Sequence, residues 1–129
     1  AAAPSKEVQW RRVVGVTGLN AELASATKVG EAVVLDFYAD WCISCKVMQR
    51  TVFSQPNVAA QLARFRLLQA DLSANDDEDK ALLKQFGLYG PPSMLFFDAH
   101  GRELKDLRMQ GEMNLEAFEH HLERVRSAT

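Results

Sequence analysis

Only two cysteines stand in 129 residues, and that scarcity sets the first limits on what the chain does. A secreted scaffold stapled by disulfides uses four or more, so two cannot form a framework. A structural zinc site would need two further ligands. The histidines do not supply them: His100 lies in the turn-like Asp98-Ala99-His100-Gly101, and His120 and His121 sit near the C-terminus in a helical pattern. Covalent haem attachment wants histidine directly after the second cysteine, where Lys46 stands. An excess of one charge is also lacking. The 15 basic and 17 acidic side chains give a formal charge of −2, with no basic stripe interleaved with aromatics, so nucleic acid is not an expected partner. No apolar run approaches the roughly 20 residues of a membrane-spanning helix, and no signal-peptide pattern precedes Trp10. What is present is 47% apolar content in a chain of single-domain size, enough to bury a core without covalent staples.

Both cysteines fall in one stretch, Tyr38-Ala39-Asp40-Trp41-Cys42-Ile43-Ser44-Cys45-Lys46, directly after the apolar run 32–37. That run reads as a buried strand. Residues 45–52 lack glycine and proline and carry Val47, Met48 and Val52, which predicts a helix with Cys42 at its first turn. Two intervening residues bring the sulfurs within bridging reach, and free N–H groups at a helix start stabilise a thiolate. A reversible dithiol is therefore the first functional expectation. The alternative is a static bridge locking the fold, but a loop this short removes little chain entropy when closed. In the redox reading Cys42 is the attacking thiol and Cys45, one turn in, the buried resolving thiol. Trp41 and Ile43 should pack around an exposed Cys42 sulfur and, with Ser44, form part of a docking face. For Trp41 plain core packing is the competing reading.

The rest of the chain reads as alternating strands and helices. Residues 8–14, with Trp10, Val13 and Val14, suit an edge strand, and 17–28 a helix with Leu19, Leu23 and Ala26 at helical spacing, Thr17 as N-cap and Gly30 at its end. Within strand 32–38, Val34, Asp36 and Tyr38 share one face and Val33, Leu35 and Phe37 the other, and both faces are otherwise apolar or aromatic. Asp36 should therefore be buried. Ser54 can cap a short helix through Val58, Ala59 and Leu62, after which 65–71 reads as a strand. An acidic stretch then leads into a helix with Leu82, Leu83 and Phe86, capped by Asn75, and its acids suit the positive end of the dipole. Beyond Tyr89-Gly90-Pro91-Pro92-Ser93, residues 94–97 form a strand, 98–101 a turn, and the charged 102–109 an edge partner for a hairpin. Asn114 caps a final helix carrying Leu115, Phe118, Leu122 and Val125. With no repeat and no internal boundary, residues 1–129 read as one domain, 1–7 being a linker or disordered lead-in.

This order resembles the thioredoxin fold, an α/β architecture with a central mixed β-sheet flanked by helices, here with an N-terminal extension. The marks are Trp41-Cys42-Ile43-Ser44-Cys45-Lys46, the acid Asp36 six residues before the first cysteine, and Pro92 opening a later strand. Tyr38-Ala39-Asp40-Trp41-Cys42, Thr51-Val52-Phe53-Ser54, Ala74-Asn75-Asp76 and Leu95-Phe96-Phe97-Asp98 are similar, more narrowly, to the C-terminal domains of the DsbD family of transmembrane disulfide reductases. The resemblance implies a periplasmic, monomeric domain of an inner-membrane protein. It would take two electrons from a membrane-embedded domain and hand them to an N-terminal periplasmic domain, with no metal or other cofactor beyond its own disulfide. It also implies that Asp36 is the buried carboxylate that relays a proton to and from the thiols, and that Pro92 is a cis-proline beside the disulfide. The chain departs from the pattern at Gln49, where an acid commonly modulates the thiol pKa, and at Pro91, which precedes the cis-proline and has no N–H to offer a substrate strand. A free-standing periplasmic reductant, for instance in cytochrome maturation, shares the same site. A non-catalytic binding module of the same fold is the reading from another class.

Overall fold

The computed structural model describes residues 8–129, so the lead-in expected over 1–7 lies outside the described residues. Five strands form one mixed sheet in the order β1-β3-β2-β4-β5: β1 (Arg11–Val13), β2 (Val33–Tyr38), β3 (Arg66–Asp71), β4 (Ser93–Phe97) and β5 (Met109–Gln110). The central strand β2 runs parallel to β3, with Asp36 opposite Gln69 and Tyr38 opposite Asp71, and antiparallel to β4, with Asp36 opposite Met94. Five α-helices accompany the sheet among the described residues: α1 (Gly15–Val29), α2 (Ile43–Met48), α3 (Pro56–Leu62), α4 (Asp77–Phe86) and α5 (Leu115–Ala128).

Alternation along β2 sorts the core into two layers. Val33, Leu35 and Phe37 pack with Leu19 and Ala26 of α1, Leu82 of α4, and Cys42 and Cys45. Val34 faces the other way, into a cluster of Met48, Val52, Phe53, Val58, Leu62, Phe118, Leu122 and Val125. Helices α1 and α4 thus cover one face, and α2, α3 and α5 supply the apolar groups of the other. Helix α2 serves both, since Cys45 joins the first cluster and Met48 the second. Immediately after Met48 the helix widens into a π-helical turn, Gln49–Phe53.

Several local expectations are corrected. Helix α1 begins at Gly15, not Thr17, and its N-cap Val14 makes no side-chain capping bond. Gly15 has φ 66°, a left-handed conformation glycine adopts without a Cβ penalty, so the chain passes from β1 into the helix within two residues. The N-cap of α4 is Asp76, whose side chain accepts from the Asp79 N–H at 2.9 Å while Asp79 reaches back to the Asp76 N–H; Asn75 takes φ 49° just outside. A carboxylate forms both halves of this capping box, which Asn75 could not do from one position earlier. Gln55, not Ser54, precedes α3; Pro56 sets its first turn, and the Ser54 hydroxyl instead donates to the Arg50 carbonyl at 2.5 Å. The hairpin partner expected over 102–109 is reduced to a single bridge between Phe97 and Glu103, a 3-10 turn at Lys105–Leu107, and the two-residue β5. Arg108 explains the break: its guanidinium holds Glu103 through two bonds of 2.6 and 2.8 Å and donates to the Phe86 carbonyl at 2.8 Å, which draws the segment out of the ladder.

Phe118 is fully buried and meets Phe53 edge to face, with centroids 5.4 Å apart. Phe118→Ala should therefore cost about 3–5 kcal/mol of unfolding free energy. Urea denaturation of the oxidised protein measures this, and a loss under about 1 kcal/mol would mean that the layer between α5 and the sheet collapses around the gap.

Candidate functional site

The turn between β2 and α2 carries both cysteines, and they are joined as a disulfide with Cα atoms 5.3 Å apart. Cys42 is the N-cap of α2. Its sulfur accepts the Cys45 N–H at 3.1 Å, and its own N–H donates to the Ala39 carbonyl at 3.0 Å. A backbone donor aimed at this sulfur favours negative charge there once the bridge opens. Cys45 lies within α2, and both residues are buried, at 6% and 5% exposure. The exposed Cys42 sulfur expected above is thus corrected: the bridge turns it inward, into the cluster holding Phe37 and Ala39. Exposure belongs instead to the flanking side chains, Trp41 at 58% and Ile43 at 80%, which removes the core-packing reading of Trp41. Ser44, between the cysteines, is half-buried.

Asp36 is buried in mid-strand, and its Oδ2 accepts one hydrogen bond, 3.1 Å from Gln69 Nε2. The parallel register of β2 and β3 places the two side by side. Burial pushes the Asp36 carboxyl up to about 7, against the opposing pull of the Gln69 donor. A group at that value carries its proton part of the time near neutrality, so it can give or accept one. Gln69 was not picked out from sequence. The signal was a lone amide inside the apolar strand Leu67-Leu68-Gln69-Ala70, the counterpart of Asp36 in its own strand.

The Pro91–Pro92 peptide bond is cis. The Ser93 hydroxyl donates to the Gly90 carbonyl at 2.8 Å, and the Pro92 carbonyl accepts the Gly111 N–H at 2.9 Å. Tyr89, fully exposed, lines an open groove of about 320 Å³ with Gly90, Pro91, Pro92, Ser93, Gln110 and Gly111. Gln49 opens the π-helical turn and lines a different groove with Val8, Trp10, Phe53 and Ser54. The Gln49 backbone N–H bonds the Cys45 carbonyl within the helix, and among the described residues no side-chain hydrogen bond joins Gln49 to either cysteine.

Sequence reading also passed over Ser73. Its hydroxyl accepts the Asp40 N–H at 2.8 Å and its carbonyl accepts the Trp41 indole N–H at 3.2 Å. Ser73 in turn donates its N–H to Asp71 Oδ1 at 2.9 Å and its hydroxyl to the same carboxylate, which Arg12 holds from β1 at 2.9 Å. Burial pushes the Asp71 carboxyl up, but the two Ser73 bonds and the Arg12 guanidinium outweigh it and leave the group below the ordinary carboxylate range.

Residues 19–126 match the sequence profile of the family described as thioredoxin-like domain. The protein named thiol:disulfide interchange protein DsbD 1 of Pseudomonas aeruginosa is 41% identical over 125 residues, covering 97% of this chain and 21% of that protein. The DsbD of Ralstonia nicotianae is 45% identical over 114 residues, covering 88% and 19%. The chain therefore spans about a fifth of the length of these curated relatives. Among solved structures, the oxidised C-terminal domain of Neisseria meningitidis DsbD superposes with a TM-score of 0.76 at 35% identity, covering 89% of this chain and 99% of that one. A thioredoxin from Thermus thermophilus, 24% identical with a TM-score of 0.68 over 90% of this chain and 86% of its own, shares the fold.

The raised Asp36 value has a consequence for stability. Unfolded, the carboxyl ionises near 3.8; folded, near 7, so between these values the unfolded state sheds its proton first and stability falls as pH rises. The contribution is complete below pH 4 and gone above pH 7, on the order of 4 kcal/mol in all. Asp36→Asn, which keeps an acceptor for Gln69, should remove this slope and be more stable than wild type at pH 8 relative to pH 4. Urea midpoints of the oxidised proteins at pH 4, 6 and 8 measure it, and parallel profiles would place the Asp36 value near the ordinary one.

Proposed function

Since this chain belongs to the thioredoxin-like family, and within it to the C-terminal domains of DsbD, we propose that it is a thiol–disulfide reductase domain relaying two electrons through the Cys42–Cys45 pair. The observation that carries the reading is the Cys45 N–H aimed at the Cys42 sulfur at 3.1 Å, on a fold that also buries an acid titrating near neutrality. The donor is a membrane-embedded domain and the acceptor an N-terminal periplasmic domain of the same protein. Relatives about five times as long as this chain support that arrangement. The location is the periplasm, as a soluble domain of an inner-membrane protein; among the described residues no helix is long and apolar enough to cross a membrane.

In the reduced domain the Cys42 thiolate attacks one sulfur of the acceptor's disulfide, forming a mixed disulfide and releasing the acceptor's other sulfur as a thiolate. Cys45 loses its proton and attacks Cys42 Sγ. The mixed bond breaks, the Cys42–Cys45 bond forms, and the acceptor leaves with both electrons as a pair of thiolates, which take their two protons from solvent. Asp36 takes the Cys45 proton in this step and returns it when the donor reduces the pair again. Its rise to about 7 suits both directions. Trp41 and Ile43, with Ser44, meet the acceptor's chain on one side of the sulfurs, and Pro91 and Pro92 meet it on the other. Because Pro91 offers no N–H, docking there uses carbonyl and apolar contact. Gln49, being neutral, leaves the thiol pKa to Asp36.

Cys45→Ser should accumulate a mixed disulfide with the oxidised N-terminal domain, visible on a non-reducing gel, whereas Cys42→Ser should form none, because only the resolving thiol frees the partner. Trapping by Cys42→Ser instead would reverse the two roles, and trapping by neither would favour a static bridge. Asp36→Asn should shift the alkylation profile of Cys42 to lower pH, since in the proposed relay it removes a buried negative charge coupled to the thiolates. A profile superimposable on wild type would remove Asp36 from the proton relay.

A further inference from the structure

Strand β2 ends at Tyr38 and α2 begins at Ile43, and the turn between them has one internal backbone bond, from the Cys42 N–H to the Ala39 carbonyl. Two further anchors come from a residue more than thirty positions away in the chain. Ser73, in the loop after β3, accepts the Asp40 N–H on its hydroxyl and the Trp41 indole N–H on its carbonyl. Tyr38 adds a lateral tie, its hydroxyl donating to Asp40 Oδ1 at 3.0 Å.

The polarity of this link is determined by chemistry. A serine hydroxyl has one proton and two lone pairs. Asp71, held ionised by Arg12 and by Ser73 itself, can only accept, so the Ser73 proton is committed to it. A lone pair is then left for the Asp40 N–H, which can only donate. The donors therefore converge on Asp71 at the end of β3, the Arg12 guanidinium from β1 on one side and, on the other, Ser73, which links it to the turn that presents Trp41 and Cys42. Trp41 stands 58% exposed with its indole nitrogen tied at one end. An aromatic ring that exposed would otherwise sample several rotamers, and ordering it on contact would weaken binding.

We propose that Ser73 is a positioning residue of the exchange reaction, holding the turn at Asp40 and Trp41 so that the indole stands in one orientation beside the disulfide, ready for an incoming polypeptide. This rests on the thiol-exchange reading above. Ser73 touches neither sulfur nor substrate and acts through Trp41, so its effect is confined to acceptors large enough to meet the indole.

The test compares reduced wild type, Ser73→Ala and Ser73→Thr on two probes, insulin as a protein disulfide and hydroxyethyl disulfide as a small one. In Ser73→Ala the ratio of the insulin rate constant to the small-disulfide rate constant should fall by roughly two- to tenfold, the net weight of one hydrogen bond. The fall should lie in KM more than in kcat, and Ser73→Thr, which keeps the hydroxyl, should restore it. The Trp41 indole N–H should exchange faster with solvent in Ser73→Ala by NMR, while that of Trp10 is the internal reference. Asp71→Asn removes the anion that commits the hydroxyl proton and should move both readouts in the same direction, which covers the case of a poorly folded Ser73→Ala. A wild-type ratio in Ser73→Ala, an equal fall on both probes, or an unchanged indole exchange overturns the proposal. If wild type reduces neither probe, the thiol-exchange reading itself fails and takes this inference with it; a reactive wild type with an unmoved ratio defeats the inference alone.

Discussion

The pairing of β2 on both edges is the constraint from which the rest of the structure follows. A strand bonded to β3 on one side and β4 on the other has no backbone group left for solvent, and its first five residues are buried. Both faces must then be covered, which is why α1 and α4 pack on one and α2, α3 and α5 on the other. The same strand delivers the chain to the redox turn. Cys42 lies just past its end and the Pro91–Pro92 loop enters β4, the antiparallel neighbour, at the same end of the sheet, since Phe37 pairs with Ser93. Two segments fifty positions apart in the sequence thereby reach one end of the sheet.

The register within that sheet also decides the electrostatics. Asp36 and Asp71 are both aspartates on adjacent strands, yet they are held in opposite states. Asp36 is in mid-sheet with a single amide donor, so loss of solvation dominates and its carboxyl rises toward neutrality. Asp71 is at the end of β3, where Arg12 and two Ser73 donors can reach it, so it stays an anion. The first is suited to moving a proton and the second to anchoring a turn. Neither role follows from residue type; each follows from how many donors the sheet brings to the carboxyl.

Elsewhere the molecule secures its non-sheet segments with side-chain bonds to backbone carbonyls. Arg108 clamps Glu103 and the Phe86 carbonyl, and His121, buried in α5, lies 2.6 Å from the Leu107 carbonyl and tilts against the ring of Phe96. These contacts hold the segment that follows β4 against the end of α4 and against α5. They go with a short β5 in a region where a longer hairpin strand was expected, because the N–H groups of Leu107 and Arg108 turn back to the Leu104 and Lys105 carbonyls in the 3-10 turn and leave the ladder.

What the sequence by itself determined was whatever depends on neighbours along the chain. The apolar run 32–37, the Cys-x-x-Cys spacing at a helix start and the apolar stripe of α5 are local patterns, and the strand and helices they predict are present. Asp36 was legible as buried because an acid inside an apolar run on both faces has nowhere else to go. Cap identities were less legible: Ser54 and Asn75 each lie one position from the N-caps Gln55 and Asp76, where polar residues stood together, and Thr17 lies three from the apolar N-cap Val14, where the φ of Gly15 starts the helix early. The partners of the site were not legible at all. Gln69 beside Asp36, Ser73 under Trp41 and Arg12 on Asp71 depend on strand register and on contacts between residues some thirty to sixty positions apart. Only the tertiary structure decided these, because a hydrogen bond across a sheet is set by the packing of whole strands and leaves no pattern in the residues on either side of it.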